Sequence, residues 1–330
     1  MNIIPSLKHV ENLKESSLIC AKSLRVDYDE VTAVYDLDLT IPKGQIYGLV
    51  GPNGAGKTST IKALAGILDP TYGEIKINGI DLDLHPQEAL LHLGYMPDFP
   101  PVYENLKVWE YLDVFATAYR IPRSKRLTRI RHWIEKVDLT SKYDAFIHTL
   151  SRGMRQRLVL AKTLLHEPSV LLLDEPASGM DPMARMDLRK ALKEIALQGT
   201  TILISSHILT ELSDFCTAVG IMEKGRMVVS GTIEEIRARV GSKGRLKIRL
   251  VTLDEKIRDR LREELKNHEY VFDLMEKSMG EFTAYFTGNP NQAATLLKVL
   301  VERGFPLADF HLEEENVEDI FFKIGAREVS

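Results

Sequence analysis

The sequence predicts an α/β protein with a mixed, largely parallel sheet, followed by a smaller α+β domain. The apolar run Ile46 to Val50 has the character of a buried strand, and a Gly-rich loop and a helical pattern from Thr58 to Leu68 follow it. The apolar strands Val170 to Leu173 and Thr201 to Ser205 are each joined to helical patterns, as in a parallel sheet covered by helices. From Gly244 the alternation of apolar and charged residues indicates a new, half-buried strand and hence a second domain.

The sequence also predicts the elements that precede and interrupt this α/β pattern. Alternating residues around Leu24 to Val26 and Val34 to Ile41 predict two strands, and Glu74 to Ile77 predicts another. Residues Leu106 to Val137 have a helical period, so we expect them to interrupt the sheet as part of a helical subdomain at about residues 99–165.

The second domain has the element order β-α-β-β-α-β, which is consistent with a ferredoxin-like fold. The order is read from the strand at Gly244, the helix Glu255 to Asn267, the strands Tyr270 to Met275 and Phe282 to Phe286, the helix Gln292 to Arg303 and the strand Leu307 to Leu312. We expect a last helix at Val317 to Ile324.

The length of 330 residues agrees with two domains, since one domain usually has on the order of 100 to 200 residues. We place an N-terminal extension at residues 1–20, the α/β domain at 21–240 and the accessory α+β domain at 241–330. The hydrophobic fraction of 44% is enough for packed interiors.

Composition also excludes several classes of function. A formal net charge of −4 offers no basic field for nucleic acid, so we expect no nucleic-acid partner. Cys20 and Cys216 are isolated, which fits a reducing cytoplasm and neither a disulfide framework nor a zinc site. We see no run of the roughly 20 apolar residues that would span a bilayer and no signal-peptide core near the N-terminus.

The loop from Gly51 to Thr58 matches the pattern G-x-x-x-x-G-K-[ST], which binds phosphate. Glycines let backbone N–H groups form a concave nest, and the next helix points its positive end at the same anion. Lys57 is expected to reach the β- and γ-phosphates, Thr58 to bind Mg²⁺ and Ser59 to add a phosphate contact. The predicted phosphate-binding residues are Gly51, Pro52, Asn53, Gly54, Ala55, Gly56, Lys57, Thr58 and Ser59.

Two carboxylates, Asp174 and Glu175, follow the apolar strand that begins at Val170. Ligands of such sheets bind beyond the carboxyl ends of the strands. Asp174 can then hold Mg²⁺, directly or through water, and Glu175 can polarise the attacking water. Without the phosphate loop, exposed acids after a buried strand would be an equally good interpretation.

Ser151 precedes a helix in which Leu158, Ala161 and Leu165 are spaced for burial, so it occupies the N-cap position. With Gly153 nearby, this helix end is a second anion-binding end, separate from the first. One nucleotide has one γ-phosphate, so the second end would close on ATP held by another copy of the protein. An ordinary capped helix is the alternative.

The order of these motifs, with Ser206-His207 last, resembles the nucleotide-binding subunits of ABC transporters, which are P-loop NTPases. The resemblance covers about Leu24 to Val240 and implies ATP and Mg²⁺ as ligands. It also implies that Tyr28 stacks on adenine, that Ser151 and Gly153 contact the partner's ATP and that Asp181 lies between the two sites. His207 resembles the switch histidine that contacts the γ-phosphate. On residue type alone, Tyr28 and His207 would more often be structural.

The sequence departs from the family pattern at two points. Asp98 stands where a glutamine that touches Mg²⁺ and water is usual. An acid can still ligate Mg²⁺, but its extra charge near the γ-phosphate is expected to slow hydrolysis. Arg152 stands where a glycine is common and Met154 where a glutamine is common. Glu175 and His207 are retained, which favours a site that hydrolyses ATP.

The resemblance predicts an ATPase that acts as a homodimer or heterodimer, with ATP between the two copies, and drives a separate membrane permease. It places the chain on the cytoplasmic face of the membrane, with export as the expected direction because the second domain resembles extensions of export-type subunits. Alternatively, that domain packs against the ATPase domain or aids dimerisation. Two other functions stay open: a soluble ABC-type ATPase outside transport, and a regulatory module that binds ATP with weak hydrolysis.

Overall fold

The computed structural model of the chain describes residues 17–240, 244–251, 254–278 and 280–313. The chain divides into two compact units, Met1–Ile233 and Glu234–Ser330. The sequence had placed this boundary at residue 240, seven residues later. The expected helix at Val317 to Ile324 and residues 1–16 of the expected extension lie outside the described residues.

The elements of the first unit, in chain order, are β1 (Ser17–Tyr28), β2 (Val31–Pro42), β3 (Ile46–Val50), α1 (Lys57–Leu64), β4 (Tyr72–Ile77), β5 (Ile80–Asp81), α2 (Pro86–Leu91), β6 (Leu93–Met96), α3 (Val108–Ala118), α4 (Arg123–Lys136), α5 (Arg152–Leu164), β7 (Val170–Leu173), α6 (Pro182–Leu197), β8 (Thr201–Ser206), α7 (Leu209–Ser213), β9 (Ala218–Glu223) and β10 (Arg226–Gly231). Those of the second unit are α8 (Ile233–Val240, which begins at the last residue of the first unit), β11 (Gly244–Leu250), α9 (Glu255–Lys266), β12 (Val271–Ser278), β13 (Glu281–Phe286), α10 (Pro290–Glu302) and β14 (Leu307–Glu313).

The central sheet of the first unit has the strand order β10-β9-β3-β8-β7-β6. All of its neighbouring strands are parallel except the β9–β10 pair, which is antiparallel. Every residue of β3, β7 and β8 is buried, as the largely apolar sequences of β3 and β7 require, and the hydroxyl residues Thr201, Ser205 and Ser206 of β8 are buried with them. This sheet and its helices confirm the predicted mixed, largely parallel α/β class.

A second, antiparallel sheet of the same unit has the order β2-β1-β4-β5. Its first strand begins at Ser17, so residues 17–20 belong to the fold and not to an extension. The reason is packing, since Ile19 is fully buried and is paired with Ile41 on one side and Ile77 on the other.

The helical region differs from the single periodic stretch that the sequence predicts, because the chain breaks it into α3 and α4. Arg120 adopts a left-handed backbone with φ +56° and Pro122 lacks the N–H group that a continuing helix needs. Similarly, α1 ends at Leu64, four residues before the predicted end, and Gly66 follows with φ +65°.

The second unit contains an antiparallel sheet of order β12-β13-β11-β14, and helices α9 and α10 contribute to its core. Its core contains Phe282 and Phe286 from β13, Leu261 and Leu265 from α9, and Leu296 from α10. The β-α-β-β-α-β order with this strand arrangement confirms the predicted ferredoxin-like domain.

Candidate active site

The carboxyl ends of four neighbouring strands of the central sheet form the site. The phosphate loop follows β3, and His207 follows β8. Asp174 and Glu175 follow β7, and Asp98 lies two residues beyond β6. Because β3, β8, β7 and β6 are adjacent and parallel, these groups meet at one edge of the sheet.

Two glycines of the phosphate loop, Gly51 and Gly56, are required by space. A Cβ atom on Gly51 would lie 2.3 Å from the carbonyl oxygen of Met222, and one on Gly56 would lie 2.4 Å from that of Ala33. Gly56 also has φ +99°, a backbone conformation that side chains rarely allow. The loop therefore has one shape, fixed by contacts with β2 and β9.

Lys57 lies folded back over this loop. Its ammonium group donates hydrogen bonds to the carbonyl oxygens of Gly51 at 2.7 Å and Pro52 at 3.2 Å, and it lies 3.6 Å from Oε1 of Glu175. The side chain is only 5% exposed, and this burial lowers the pKa of Lys57, although the nearby carboxylates Glu175 and Asp174 oppose the shift. The loop and Lys57 thus concentrate positive charge at the first turn of α1.

The two carboxylates after β7 have different surroundings. Asp174 is 1% exposed and accepts a hydrogen bond of 2.7 Å from the hydroxyl of Ser205, and that hydroxyl in turn accepts one of 2.9 Å from the backbone N–H of Glu175. Glu175 faces Lys57 with one oxygen and His207 Nδ1, at 2.9 Å, with the other. Its backbone is left-handed, with φ +49°.

Asp98 is a third carboxylate in the same place. Its Oδ1 atom is buried and has no hydrogen-bond partner. Burial raises the pKa of Asp98, the negative charges of Asp174 and Glu175 raise it further, and the positive side chains of Arg152 and His207 oppose this. Asp98 therefore lies close enough to Asp174 and Glu175 to interact with their charges. The sequence had associated it with this site only by resemblance.

The donor set at this edge fits a magnesium ion bound together with phosphate. Asp98 offers a buried oxygen without a partner, Asp174 offers a carboxylate and Thr58 an exposed hydroxyl, all hard oxygen ligands of the kind Mg²⁺ prefers. Within residues 17–313, as far as they are described, no three acidic, histidine or cysteine side chains are grouped closely enough to hold a metal without such added ligands.

Tyr28 lies at the end of β1 beside the phosphate loop. Its hydroxyl accepts a hydrogen bond of 3.4 Å from Ser59, and its ring is 43% exposed. An exposed aromatic ring next to the loop can stack on a flat base. The stacking of Tyr28 on adenine that the resemblance implies stays a prediction.

A second set of predicted residues lies at the N-terminal ends of two helices. Ser151 caps α5 by accepting a hydrogen bond from Met154 N, and Asp181 caps α6 by accepting one from Ala184 N. The space over Gly153 is open, since a Cβ there would have no atom nearer than 3.8 Å. The side chain of Gln156 ties the two ends together through the carbonyl oxygen of Ser178.

Comparison with known proteins gives the family. Residues 34–178 match the family described as "ABC transporter". The chain is 31% identical to the bacitracin transport ATP-binding protein BcrA of Bacillus licheniformis, over 94% of this chain and 97% of the relative. The chain belongs to the ATP-binding proteins of ABC transporters.

Two further comparisons agree with this. The chain is 34% identical to the probable multidrug ABC transporter ATP-binding protein YbhF of Escherichia coli (strain K12), over 71% of this chain, and it spans only 40% of that relative's length. A solved structure titled "Structure of ATP binding subunit of ABC transporter" superimposes with a TM-score of 0.63 at 32% identity, covering 68% of this chain and 94% of the other.

Membership of the ABC ATP-binding family confirms the predicted P-loop NTPase fold, the binding of ATP and the class of ATPase. In the part of the chain that the structure describes, no helix is both long and apolar enough to span a membrane. The individual roles assigned to site residues stay predictions.

Sequence reasoning missed several residues that shape this ABC-type site. Ser205 joins Asp174 to Glu175, and Gln156 joins the ends of α5 and α6. Arg152, which the sequence marked only as a departure from the family pattern, contacts both Ser178 and the ring of Phe99. β8 carries three hydroxyl residues, Thr201, Ser205 and Ser206, so the sequence does not single out Ser205. Its partners, like those of Gln156 and Arg152, could be found only from tertiary structure.

Proposed function

We propose that this chain binds Mg-ATP at the end of the central sheet, hydrolyses it, and so supplies energy to a separate membrane permease. The observation that carries the proposal is the placement of Glu175 between Lys57 and His207 at the edge where the phosphate loop lies. A phosphate-binding cation and a base held beside it are the parts that phosphoryl transfer to water needs.

The chemistry follows from these contacts. When a triphosphate enters the loop, its oxygens replace the Gly51 and Pro52 carbonyls as partners of the Lys57 ammonium group, because charge-assisted bonds are the stronger ones. Glu175 accepts a proton from a water molecule as the water oxygen attacks the γ-phosphorus. The bond to the β–γ bridging oxygen breaks, and ADP and phosphate leave. His207 holds the Glu175 carboxylate in the orientation for this step.

Magnesium would be held by the Thr58 hydroxyl and Asp174, with Asp98 within reach, and would neutralise charge on the phosphate oxygens. Ser205 keeps Asp174 in position for this by its hydrogen bond of 2.7 Å. Tyr28 would stack on the adenine ring. These roles follow from the fit of the donor set and from the family to which the chain belongs.

The open N-terminal end of α5 supports a dimer. Ser151 and Gly153 lie at this end, which favours phosphate, whereas the Asp181 carboxylate already caps the N-terminus of α6. We propose that each copy presents these ends to the ATP bound by the other, either as a homodimer or with a related chain. Binding then closes the dimer, and loss of the γ-phosphate opens it again.

The partner proposed for this dimer is an integral-membrane permease on whose cytoplasmic face it sits. Phe99 is 75% exposed and Tyr103 is 58% exposed, and both follow Asp98 in a loop stiffened by Pro100 and Pro101. This loop is the proposed contact with the permease. A relative that is 33% identical over 66% of this chain is named "Nod factor export ATP-binding protein I", and this name supports export as the direction.

Phosphate release by the purified protein, alone and with its permease, tests the catalytic proposal. Glu175→Gln should lower turnover by roughly 10²- to 10⁴-fold and leave ATP binding intact, because it removes the base but not the phosphate contacts. Glu167→Gln, a surface carboxylate paired with Arg129, is the control that should keep full turnover. Equal inactivity of the wild type and Glu175→Gln, even with permease, would contradict hydrolysis and favour a regulatory ATP-binding module.

Two measurements test the assembly. Glu175→Gln with Mg-ATP should dimerise in light scattering after size exclusion, because the bound γ-phosphate is no longer removed. A protein with many membrane spans should co-purify from detergent-solubilised membrane. A partner that is entirely soluble would instead support the ABC-type ATPase outside transport.

A further inference from the structure

Helix α4 carries a concentration of positive charge that the proposed function does not use. Six of its 14 residues are Arg or Lys and one is acidic, whereas in the whole chain 47 acidic residues outnumber 43 basic ones. The six basic residues are Arg123, Lys125, Arg126, Arg129, Arg131 and Lys136. The inner face of the helix is apolar, with Ile130, Trp133 and Ile134 buried. α4 is therefore a basic amphipathic helix at the surface of the first unit.

Most of this charge is not neutralised within the chain. Arg129 forms a salt bridge with Glu167, and Lys136 forms one with Glu194. In the part of the chain that the structure describes, no carboxylate lies at salt-bridge distance from the other four basic residues, Arg123, Lys125, Arg126 and Arg131. Three of these, Arg123, Lys125 and Arg131, are exposed. The helix thus presents a surplus of positive charge to its surroundings.

The first turn of α4 is an unfavourable place for these cations. The N-terminal end of a helix dipole is positive, so acidic residues stabilise a first turn and basic residues destabilise it. This turn contains Arg123, Lys125 and Arg126 and no acidic residue. Arg126 is held by neutral acceptors, the Thr117 hydroxyl at 2.6 Å and the Ile121 carbonyl oxygen at 2.7 Å. An arrangement that costs the fold stability indicates a role outside the fold.

The chemistry of this surface fits the headgroups of an anionic lipid bilayer. Leu127 is 50% exposed and lies between Arg123 and Arg131 on one side of the helix, since residues four apart are neighbours. Cations around an exposed apolar side chain match a bilayer interface, where phosphates cover hydrocarbon. Single-stranded nucleic acid would instead stack its bases on exposed aromatic rings, and the ring of Trp133 is buried.

We propose that α4 is a membrane-contact helix, which binds anionic lipid headgroups through Arg123, Lys125 and Arg131 while Leu127 enters the interface. The inference goes beyond the proposed function, because it adds a direct lipid contact to the contact through a permease. A permease partner would bring this surface close to lipid. Binding to lipid needs neither ATP nor the permease, so lipid binding and ATP turnover can each fail without the other.

Co-sedimentation of the full chain with vesicles tests the contact. The wild type should bind vesicles that contain phosphatidylglycerol and not vesicles of pure phosphatidylcholine. It should lose most of this binding between roughly 50 mM and 500 mM salt, because salt screens surface charge. The combined variant Arg123→Gln, Lys125→Gln and Arg131→Gln should bind on the order of 10²-fold more weakly, since each cation near an anionic membrane contributes about five-fold.

A variant with the same change of net charge is the matched control. Lys43→Gln, Lys190→Gln and Lys277→Gln together remove three exposed cations outside α4. This control should keep the affinity for anionic vesicles within about two-fold, because charges far from the contact are screened. An equal loss in the two triple variants would overturn the inference, and so would equal binding of the wild type to anionic and neutral vesicles.

The melting temperature separates a lipid contact from a structural role of the same cations. The triple variant in α4 should melt at or above the temperature of the wild type, because two of its changes relieve the positive first turn. Weaker vesicle binding then cannot result from unfolding. A lower melting temperature would show that these cations serve the fold and would overturn the inference.

A nucleic-acid partner is tested with Leu127→Gln and a polyuridylate oligonucleotide. Leu127→Gln should weaken binding to anionic vesicles roughly three- to ten-fold, because an apolar side chain no longer enters the bilayer interface. If the oligonucleotide bound more tightly than anionic vesicles and Leu127→Gln had no effect on vesicle binding, α4 would be a nucleic-acid surface and the lipid contact would be wrong.

Discussion

The phosphate loop after β3 and the N-terminal end of α5 differ in how far their polar groups are already satisfied within the chain. Lys57 is buried and has two carbonyl partners and a carboxylate beside it. Ser151 is exposed and caps only its own helix, and the space over Gly153 is open. The first end has its polar groups paired within the chain, whereas the second is an open surface.

The largest difference between the two ends should appear in nucleotide affinity. Lys57→Met is expected to abolish measurable ATP binding and to reduce turnover by roughly 10²- to 10³-fold or more, because the main cation for the phosphates is lost. Ser151→Ala should leave ATP binding by the isolated chain unchanged and lower only turnover. Binding of a fluorescent ATP analogue, together with phosphate release, measures both. Unchanged binding in Lys57→Met would remove the basis of the assignment.

A matched pair of glycine substitutions compares the packing of the two ends. Gly51→Ala should destabilise the fold by about 1–3 kcal/mol, because its Cβ would lie 2.3 Å from the Met222 carbonyl oxygen. Gly153→Ala should change stability by no more than about 0.5 kcal/mol. Urea unfolding gives both values. If Gly153→Ala proved the more destabilising, the picture of an open surface at α5 would be wrong.

Ser205→Ala tests whether hydrogen bonds behind the phosphate-loop end matter for chemistry. It leaves the buried Asp174 carboxylate and the Glu175 N–H without a shared partner, so we expect a loss of about 1 kcal/mol in stability and lower turnover. Ser206→Ala is the control, since Ser206 bonds Glu211 and not the site carboxylates. Turnover should fall in the first variant and stay near wild type in the second; equal turnover in both would assign Ser205 a structural role alone.

The smallest expected effect is the pH dependence of stability that comes from Tyr47 in β3, the strand that precedes the phosphate loop. Tyr47 in β3 is buried, with its hydroxyl 2.7 Å from that of Ser230, and burial raises the pKa of Tyr47 to about 12 from 10.0. A raised pKa means that the folded state resists ionisation, so this stability is present below pH 10 and is lost as the pH rises towards 12. At pH 10.5 the loss from Tyr47 should be less than about 1 kcal/mol.

Urea unfolding of the wild type and of Tyr47→Phe measures this dependence. The measurements span roughly pH 8 to pH 10.5, where Tyr begins to ionise. The variant should show a shallower decline in stability above pH 9.5 or so. Identical slopes would show that Tyr47 does not contribute to the decline.

The sequence was sufficient for those parts of the molecule that depend on local pattern. The phosphate loop, the strand that ends at Asp174 and the element order of the second unit each occupy one continuous stretch, and the fold agrees with all three. Helix ends and domain limits were less accurate. The break at Arg120 and Pro122 lies inside a good helical period, and the start of β1 at Ser17 depends on partners in β2 and β4.

The contacts of the site depended on tertiary structure and could not be predicted. The sequence showed that Arg152 was unusual, but only the structure showed that its guanidinium packs on the ring of Phe99. In the same way, Ser205 became relevant once β7 and β8 were known to be neighbours. Side chains that act across strands are specified by the fold as a whole, so no local pattern reveals their partners.

Glu175 carries the carboxylate proposed to activate water on a backbone that its residue type disfavours, with φ +49°. Asparagine or glycine would adopt this conformation more easily, at a saving on the order of 1 kcal/mol. A substitution of Glu175 that stabilises the fold would therefore remove the carboxylate on which the proposed hydrolysis depends. At Glu175, the proposed catalytic role and the stability of the fold therefore favour different residue types.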